Sequence, residues 1–282
     1  MILWRRHASA AWLEENGSML EEMASPHLTI ISQPDRMRSL IEVACKRRTE
    51  ANRLLRRFGG RIEALPRNWF KASPPHPPIR VGRRLEVVSE KVPAPDGRRQ
   101  LVIPGAGAFG TGEHATTSLS LRLLEETTRK FAAGWRLLDA GTGTGILALA
   151  ARILGAAEAV AIDNDSRAIA VARSNARLNR IGRVRFRVGD VLRLKISDSP
   201  GQGRKTAAPR YDIVTANLFS ELLIALLAGF RQELTPHGRL ILSGILREQA
   251  DEVTAALAES GFSVERKRRR GKWVALLASA KT

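Results

Sequence analysis

The run Leu137-Leu138-Asp139-Ala140-Gly141-Thr142-Gly143-Thr144-Gly145-Ile146 sets three glycines at alternate positions behind an acid and a short apolar segment. Glycines spaced this way serve a tight strand-to-helix turn whose backbone a ligand must approach closely. Further along, Val160-Ala161-Ile162 ends on Asp163, 22 residues after Gly141. A carboxylate there accepts hydrogen bonds from both hydroxyls of a ribose. Gly189-Asp190 closes a third apolar run and offers a carboxylate to an adenine amino group. The chemistry in view is the holding of a nucleoside-bearing cofactor. Asp163 supports a ribose without choosing between cofactors. The dinucleotide fingerprint Gly-x-Gly-x-x-Gly/Ala, which seats a pyrophosphate on a helix N-terminus, needs a small residue at position 146. That position is Ile146, which disfavours a dehydrogenase.

These residues require strands that end where helices begin. From Thr117 onward short apolar strands alternate with helices: helix 117–131, strand 136–139, helix 146–154, strand 159–162, helix 166–178, then strands 184–188, 212–216, 239–242, 262–265 and 273–277. Such alternation predicts an α/β fold with a doubly wound, mostly parallel, Rossmann-like sheet of seven strands. Residues 81–282 form this domain, and Ser197–Pro209, polar and rich in Gly and Pro, reads as a surface loop within it. Residues 71–80 are too proline-rich for a helix and read as a linker. A hairpin is expected from Leu85–Val88 and Gln100–Ile103 around Pro95-Asp96-Gly97. Residues 1–70 read as a small α+β domain with about three strand candidates. A long helix opens there at Pro34-Asp35, with Met37, Leu40, Ile41, Ala44, Ala51, Leu54, Leu55 and Phe58 on one face. Cys45 falls inside that helix and reads as structural.

Composition bounds the rest. The chain has 282 residues and a net charge of +18, carried by 37 Arg and 9 Lys. The excess is +8 over residues 1–100 and +10 over 101–282, so no basic tail accounts for it. Solubility and an arginine-rich composition explain such a balance, and so does an acidic or RNA-bearing partner. One cysteine excludes an internal disulfide. Five scattered histidines show no metal-ligand spacing, and Gly110-Thr111-Gly112 lacks the Lys-Ser/Thr of a phosphate loop. No run reaches the 18 or so apolar residues that span a bilayer, and Glu14-Glu15 interrupt any signal-peptide core. A cytoplasmic protein with no membrane partner is expected.

The Gly-x-Gly-x-Gly spacing with its preceding acid resembles motif I of class I S-adenosylmethionine-dependent methyltransferases, in which Asp139 could face the ammonium end of the cofactor. Four more segments narrow the likeness: Ala108-Phe109-Gly110-Thr111-Gly112-Glu113-His114-Ala115-Thr116-Thr117, Thr215-Ala216-Asn217-Leu218, Leu242-Ser243-Gly244-Ile245-Leu246 and Gly271-Lys272-Trp273-Val274. In this order they resemble the bacterial methyltransferases of large-subunit ribosomal protein eleven, the PrmA family, over about residues 79–282. The resemblance implies trimethylation of lysine side chains and of an N-terminal amine, with S-adenosylmethionine as donor. It implies cofactor contacts at Thr117, Gly141, Asp163 and Asn217, joined by Asp139, Gly143, Gly145 and Asp190 from the loop and strand ends. Thr111 and His114 match its loop over the cofactor. Its N-terminal domain, a ferredoxin-like sheet that recognises the ribosomal protein, is not matched by the reading of residues 1–70.

Asn217 is the candidate for orienting the acceptor amine, because an amide oxygen accepts from nitrogen without adding charge. Asn217-Leu218-Phe219-Ser220 differs from the Asn-Pro-Pro-Tyr of amide and base methylators, which argues against a planar acceptor. His114 is the candidate gate or proton shuttle, and Trp273 reads as packed. The expected partner is ribosomal protein eleven, with ribosomal RNA contact through the basic surface and a monomeric state. Rival readings are methylation of another protein or of RNA, and an RNA- or ribosome-associated binding protein whose cofactor site is vestigial.

Overall fold

The computed structural model describes residues 2–24, 28–31, 38–45, 47–64, 77–94, 96–104, 112–192 and 211–281. Thr111, the Ser197–Pro209 loop and residues 71–76 of the linker lie outside the described residues. Contacts divide the chain into two compact units, Met1–Ser73 and Pro74–Thr282.

The first unit runs β1 (Ile2–Ala8), α1 (Ala10–Ala24), β2 (Leu28–Ile31), β3 (Ser39–Cys45), α2 (Arg48–Phe58), β4 (Arg61–Ala64). Its four strands form an antiparallel sheet in the order β2-β3-β1-β4. This is the βαββαβ arrangement of ferredoxin-like domains. The expected helix from Pro34 to Phe58 is therefore corrected to a strand and a shorter helix. Leu40, Ile41 and Ala44 fit a helical stripe, but Ile41, Val43 and Cys45 are buried alternately with their neighbours, the period of a strand. Pairing with β1 and β2, far away in sequence, decides the outcome. Cys45 thus ends a strand instead of lying in mid-helix. It is buried, and burial pushes its thiol pKa up, which leaves it a poor nucleophile. Helix α2 buries Ala51, Leu54 and Phe58. Phe58 lies 6.1 Å from Trp4, centroid to centroid, and the Trp4 indole donates to Gly59 O at 2.7 Å.

The second unit opens with a small sheet of β5 (Ile79–Val81), β6 (Leu85–Val88) and β7 (Arg99–Val102). The expected hairpin between the last two is overturned: β6 and β7 pair in parallel, and the hairpin is β5–β6. Two apolar runs on either side of a turn signal do not specify direction. Here Asn179 holds the outer side of β7, its side chain bonding both N–H and C=O of Val102 at 2.7 Å.

Next come α3 (Ala115–Thr127), β8 (Arg136–Ala140), α4 (Ile146–Ile153), β9 (Glu158–Asp163), α5 (Ser166–Leu178), β10 (Val184–Val188), β11 (Tyr211–Asn217), α6 (Ser220–Glu233), β12 (Leu234–Leu246), α7 (Ala250–Glu259), β13 (Phe262–Arg270) and β14 (Trp273–Ala280). The expected seven-stranded sheet is present in the order β10-β9-β8-β11-β12-β14-β13. The first five are parallel and β14 is antiparallel to both its neighbours. Strand residues alternate between two cores. Leu137, Ala159, Ile213 and Ile241 face one, and Leu138, Val160, Val214 and Leu242 face the other. The chain reverses its winding between β8 and β11, so the carboxyl ends of these strands open a crevice.

Helix α3 must be fixed, because its first turn reaches that crevice. Glu125, fully buried, anchors it: the carboxylate accepts from Arg84 Nε at 3.2 Å, Arg129 Nη2 at 2.7 Å and the Arg83 N–H at 3.4 Å. Burial alone would raise its pKa, but these donors prevail and hold it below the ordinary value. A depressed pKa adds stability that is present at neutral pH and lost as pH falls through the folded value. Glu125→Gln is expected to lower the melting temperature at neutral pH, and the gap to the parent protein to close on acidification. A gap constant with pH would show that the carboxylate charge does not act here.

Candidate active site

Residues at the carboxyl ends of β8, β9, β10 and β11 meet around the glycine loop. Gly141, Gly143 and Gly145 have φ of 73°, 54° and 80°, a region closed to most side chains. A Cβ on Gly141 would lie 2.5 Å from Leu218 Cδ2, so the loop and the Asn217-Leu218 segment touch with no room for a methyl group. Backbone bonds set the turn: Gly141 and Thr142 both donate to Ile162 O at 2.9 Å, and Gly145 donates to Thr142 O at 2.9 Å. Buried Asn175 reaches across from α5 to Thr144 O at 2.9 Å.

Asp139 is completely buried beneath this loop. Its Oδ2 accepts from the Thr142 hydroxyl at 2.5 Å and its Oδ1 from the Thr215 hydroxyl at 2.7 Å. Asp139, expected to face the ammonium end of the cofactor, is engaged on both oxygens from within the protein and so clamps the loop to the sheet. Desolvation pushes its pKa up to about 6, against the pull of the two hydroxyls. Asp163 ends β9 half-exposed, with Oδ2 accepting from the Gly143 N–H at 2.8 Å and Oδ1 from Asp165 N–H at 3.0 Å. Asp165 caps α5 through the Arg167 N–H at 2.8 Å. Asp190 is exposed and accepts from the Leu192 N–H at 3.0 Å. Gly189 N–H donates to Asp163 O at 2.9 Å, which brings the two acids to one edge. Val188 and Leu192, each more than half exposed, flank Asp190.

Across the crevice, Asn217 ends β11 and its Nδ2 lies 3.4 Å from Thr117 Oγ1, in the first turn of α3. Ser243 on β12 donates to Thr116 O at 3.1 Å, tying that turn to the sheet. His114 precedes α3, with Nδ1 2.8 Å from Thr116 Oγ1. Its ring meets Trp273 edge-on at 5.2 Å between centroids. Desolvation first, then Lys272 and Arg270, hold its pKa below the usual imidazole value, so it is neutral at physiological pH. Phe219 is 76% exposed beside Asn217.

The structure thus brings together Thr117 with Asn217, Gly143 with Asp163, and Asp163 with the Gly189-Asp190 end. Sequence reasoning missed Thr142, Thr215, Thr116 and Ser243. Thr142 and Thr215 are legible only once β8 and β11 are known to be neighbours, with Thr215 opposite Asp139. The residues fit a nucleoside cofactor: a turn of three positive-φ glycines that leaves its backbone bare of side chains, a carboxylate at the end of the second strand, and an apolar lip beside the third.

Fold and site together define a Rossmann-like methyltransferase domain. The chain matches the family described as Ribosomal protein L11 methyltransferase (PrmA) over residues 28–281, and it belongs to that family. A protein of Lacticaseibacillus paracasei named ribosomal protein L11 methyltransferase is 36% identical over 207 residues, 72% of this chain and 61% of its own length. One of the same name from Alkalilimnicola ehrlichii is 39% identical over 227 residues, covering 79% of this chain and 71% of the relative. The crystal structure of a ribosomal protein L11 methylase from Lactobacillus delbrueckii subsp. bulgaricus superposes with a TM-score of 0.61 at 28% identity, over 73% of this chain and 99% of that one. The chain spans about three fifths of the length of the L. paracasei relative.

A folded pKa of about 6 against an ordinary 3.8 makes the Asp139 charge cost about 3 kcal/mol at neutral pH. The sign is opposite to that of Glu125: this penalty is absent in acid and grows as pH rises between those two values. The stability of Asp139→Asn relative to the parent is expected to climb over that window and level off above it. Chemical denaturation across the pH range measures the difference, and a flat difference would exclude a buried charge.

Proposed function

We propose that this chain transfers methyl groups from S-adenosylmethionine to amine nitrogens, those of lysine side chains and of an N-terminus, on ribosomal protein L11. The observation that carries this reading is the placement of Asn217 against Thr117 across the mouth of the glycine loop, in a chain of the PrmA family. S-adenosylmethionine, when bound, supplies a methyl group already activated on a sulfonium. The protein's part is to hold that cofactor and to present the amine.

Asp163 is assigned to the ribose hydroxyls, since each oxygen retains a lone pair beyond its backbone bond. Asp190, between Val188 and Leu192, is assigned to the adenine edge. The Gly141–Gly145 backbone takes the part nearest the reacting centre, with Asp139 fixing its conformation from below. Thr117 donates from the opposite wall.

An amine must lose its proton before it attacks, and free lysine ionises near 10.4. Desolvation in the crevice favours the neutral form. Asn217 Nδ2 is turned to Thr117, which directs Oδ1 as an acceptor for an amine N–H. No carboxylate base is needed, because an uncharged acceptor aligns the lone pair and solvent takes the proton. His114, held neutral and buttressed by Trp273, walls the acceptor side and relays that proton outward. The first unit, with its ferredoxin-like sheet, is assigned to recognition of the ribosomal protein.

Asn217→Ala is expected to lower kcat for L11 methylation about 100-fold through misplacement of the amine, with cofactor affinity nearly unchanged. Intact-mass spectrometry of L11 after incubation with enzyme and S-adenosylmethionine reads the ladder of single-methyl increments. An unchanged rate in the variant would remove Asn217 from the chemistry.

A further inference from the structure

Strand β13 forms one edge of the large sheet and carries Arg266-Lys267-Arg268-Arg269-Arg270. Beyond the irregularity at Val264/Arg266, alternate residues share a face. Arg266 Nη1 and Arg268 Nη2 both reach Glu126 on α3, at 2.7 and 2.8 Å, whereas Lys267 pairs with Asp251 on α7. Arg270 follows Arg266 and Arg268 on the α3 side. On α3 and just beyond it, Arg122 and Lys130 are exposed. Among the described residues, Arg122, Lys130, Arg270 and Lys272 have no carboxylate partner.

This row has a direction. It starts at a groove of about 260 Å³ lined by Lys130, Arg239 and Arg266 with Glu126, Glu265, Phe131 and Leu277, where Arg239 is paired with Glu265. It ends at the β13–β14 turn, where Lys272 Nζ lies 5.4 Å from the centre of the Trp273 ring. Trp273 in turn packs on His114. The row therefore leads to the mouth of the candidate active site.

We propose that the α3–β13 face is a docking surface for the phosphodiester backbone of RNA. Three features favour RNA over an acidic protein segment. Two of the four cations without a carboxylate partner, Arg122 and Arg270, are guanidiniums, whose planar fork matches phosphate oxygens. Arg266, Arg268 and Arg270 recur about every 7 Å along one strand face, the first two sharing the single carboxylate of Glu126, which leaves a net positive row that suits a polyanion with one charge per monomer. Glu126, clasped by two arginines, already displays how an oxyanion seats there, and the carboxylates on this face leave the outer cations unmatched. The surface lies outside the cofactor crevice, so the proposal stands independently of the assigned methyl acceptor.

The test is fluorescence anisotropy of a labelled mixed-sequence single-stranded RNA titrated with the full chain over a salt series. The triple variant Arg122→Gln, Lys130→Gln, Arg270→Gln is measured in parallel, with a polyglutamate peptide as competitor. The parent is expected to bind with a steep salt dependence, and the slope of log Kobs against log[salt] to fall by about 2 in the variant, at about 0.7 per lost phosphate contact. In the parent, RNA is also expected to slow amide hydrogen exchange in α3 and β13, a readout that does not depend on the variant folding. Absence of RNA binding at low salt, an unchanged slope in a folded variant, or protection confined to other elements would overturn the proposal. Displacement of the RNA by polyglutamate at equal charge would transfer the surface to an acidic protein partner and overturn it as well.

Discussion

The clamp made by Asp139 with Thr142 and Thr215 is the constraint on which the rest of the site depends. It joins three things that must be aligned: the end of β8, the neighbouring strand β11, and the loop that departs between them. Two short hydrogen bonds to one carboxylate set the direction of the glycine turn and the register of the strand that ends in Asn217. A charge buried this completely is unfavourable, as its raised pKa records. An apolar residue at that position would pack the sheet without tying loop to strand. The arrangement keeps a costly group in exchange for a preorganised crevice, a compromise typical of functional sites.

Around this clamp the packing is close enough to make small changes matter. Leu218 fills the space left by the missing side chain of Gly141, and Gly244 is pressed against the Leu218 backbone. The loop, the β11 end and the β12 end therefore move as one body. The other wall is secured separately: Glu125 and its arginines fix α3, while Ser243 and Asn217 reach its first turn. Two fully buried carboxylates thus hold opposite walls, with pKa shifts of opposite sign. Glu125 has charged donors to offset its desolvation, and Asp139 has only neutral ones, two hydroxyls and the Ala148 backbone N–H.

Much of this was legible from residue order, and the reasons are local. Glycines at 141, 143 and 145 advertise a turn that other residues resist, and apolar runs of four to six residues bounded by glycine or acids mark the parallel strands. The strand ends gave Asp163, Asp190 and Asn217 because the carboxyl edge of such a sheet is where ligands bind. What escaped was decided by partners distant in sequence. Residues 39–45 satisfy both helical and strand spacing, and only pairing with β1 and β2 selects the strand. The β6–β7 pair is parallel, and β7 is bonded on its other side by Asn179 at the end of α5, which no turn signal reveals. Thr142 and Thr215 are ordinary threonines until the strand order sets them on either side of Asp139.

The loop, Asp163 and Asn217 are proposed as a seat for S-adenosylmethionine and not for a dinucleotide. Isothermal titration of the full chain with S-adenosylmethionine, and separately with NAD, tests it most directly, with Gly141→Val as the control whose added side chain would strike Leu218. Saturable binding of S-adenosylmethionine by the parent is expected, with none of NAD, and loss of binding in the folded variant. Binding of NAD, or equal binding of S-adenosylmethionine by parent and variant, would contradict the proposal.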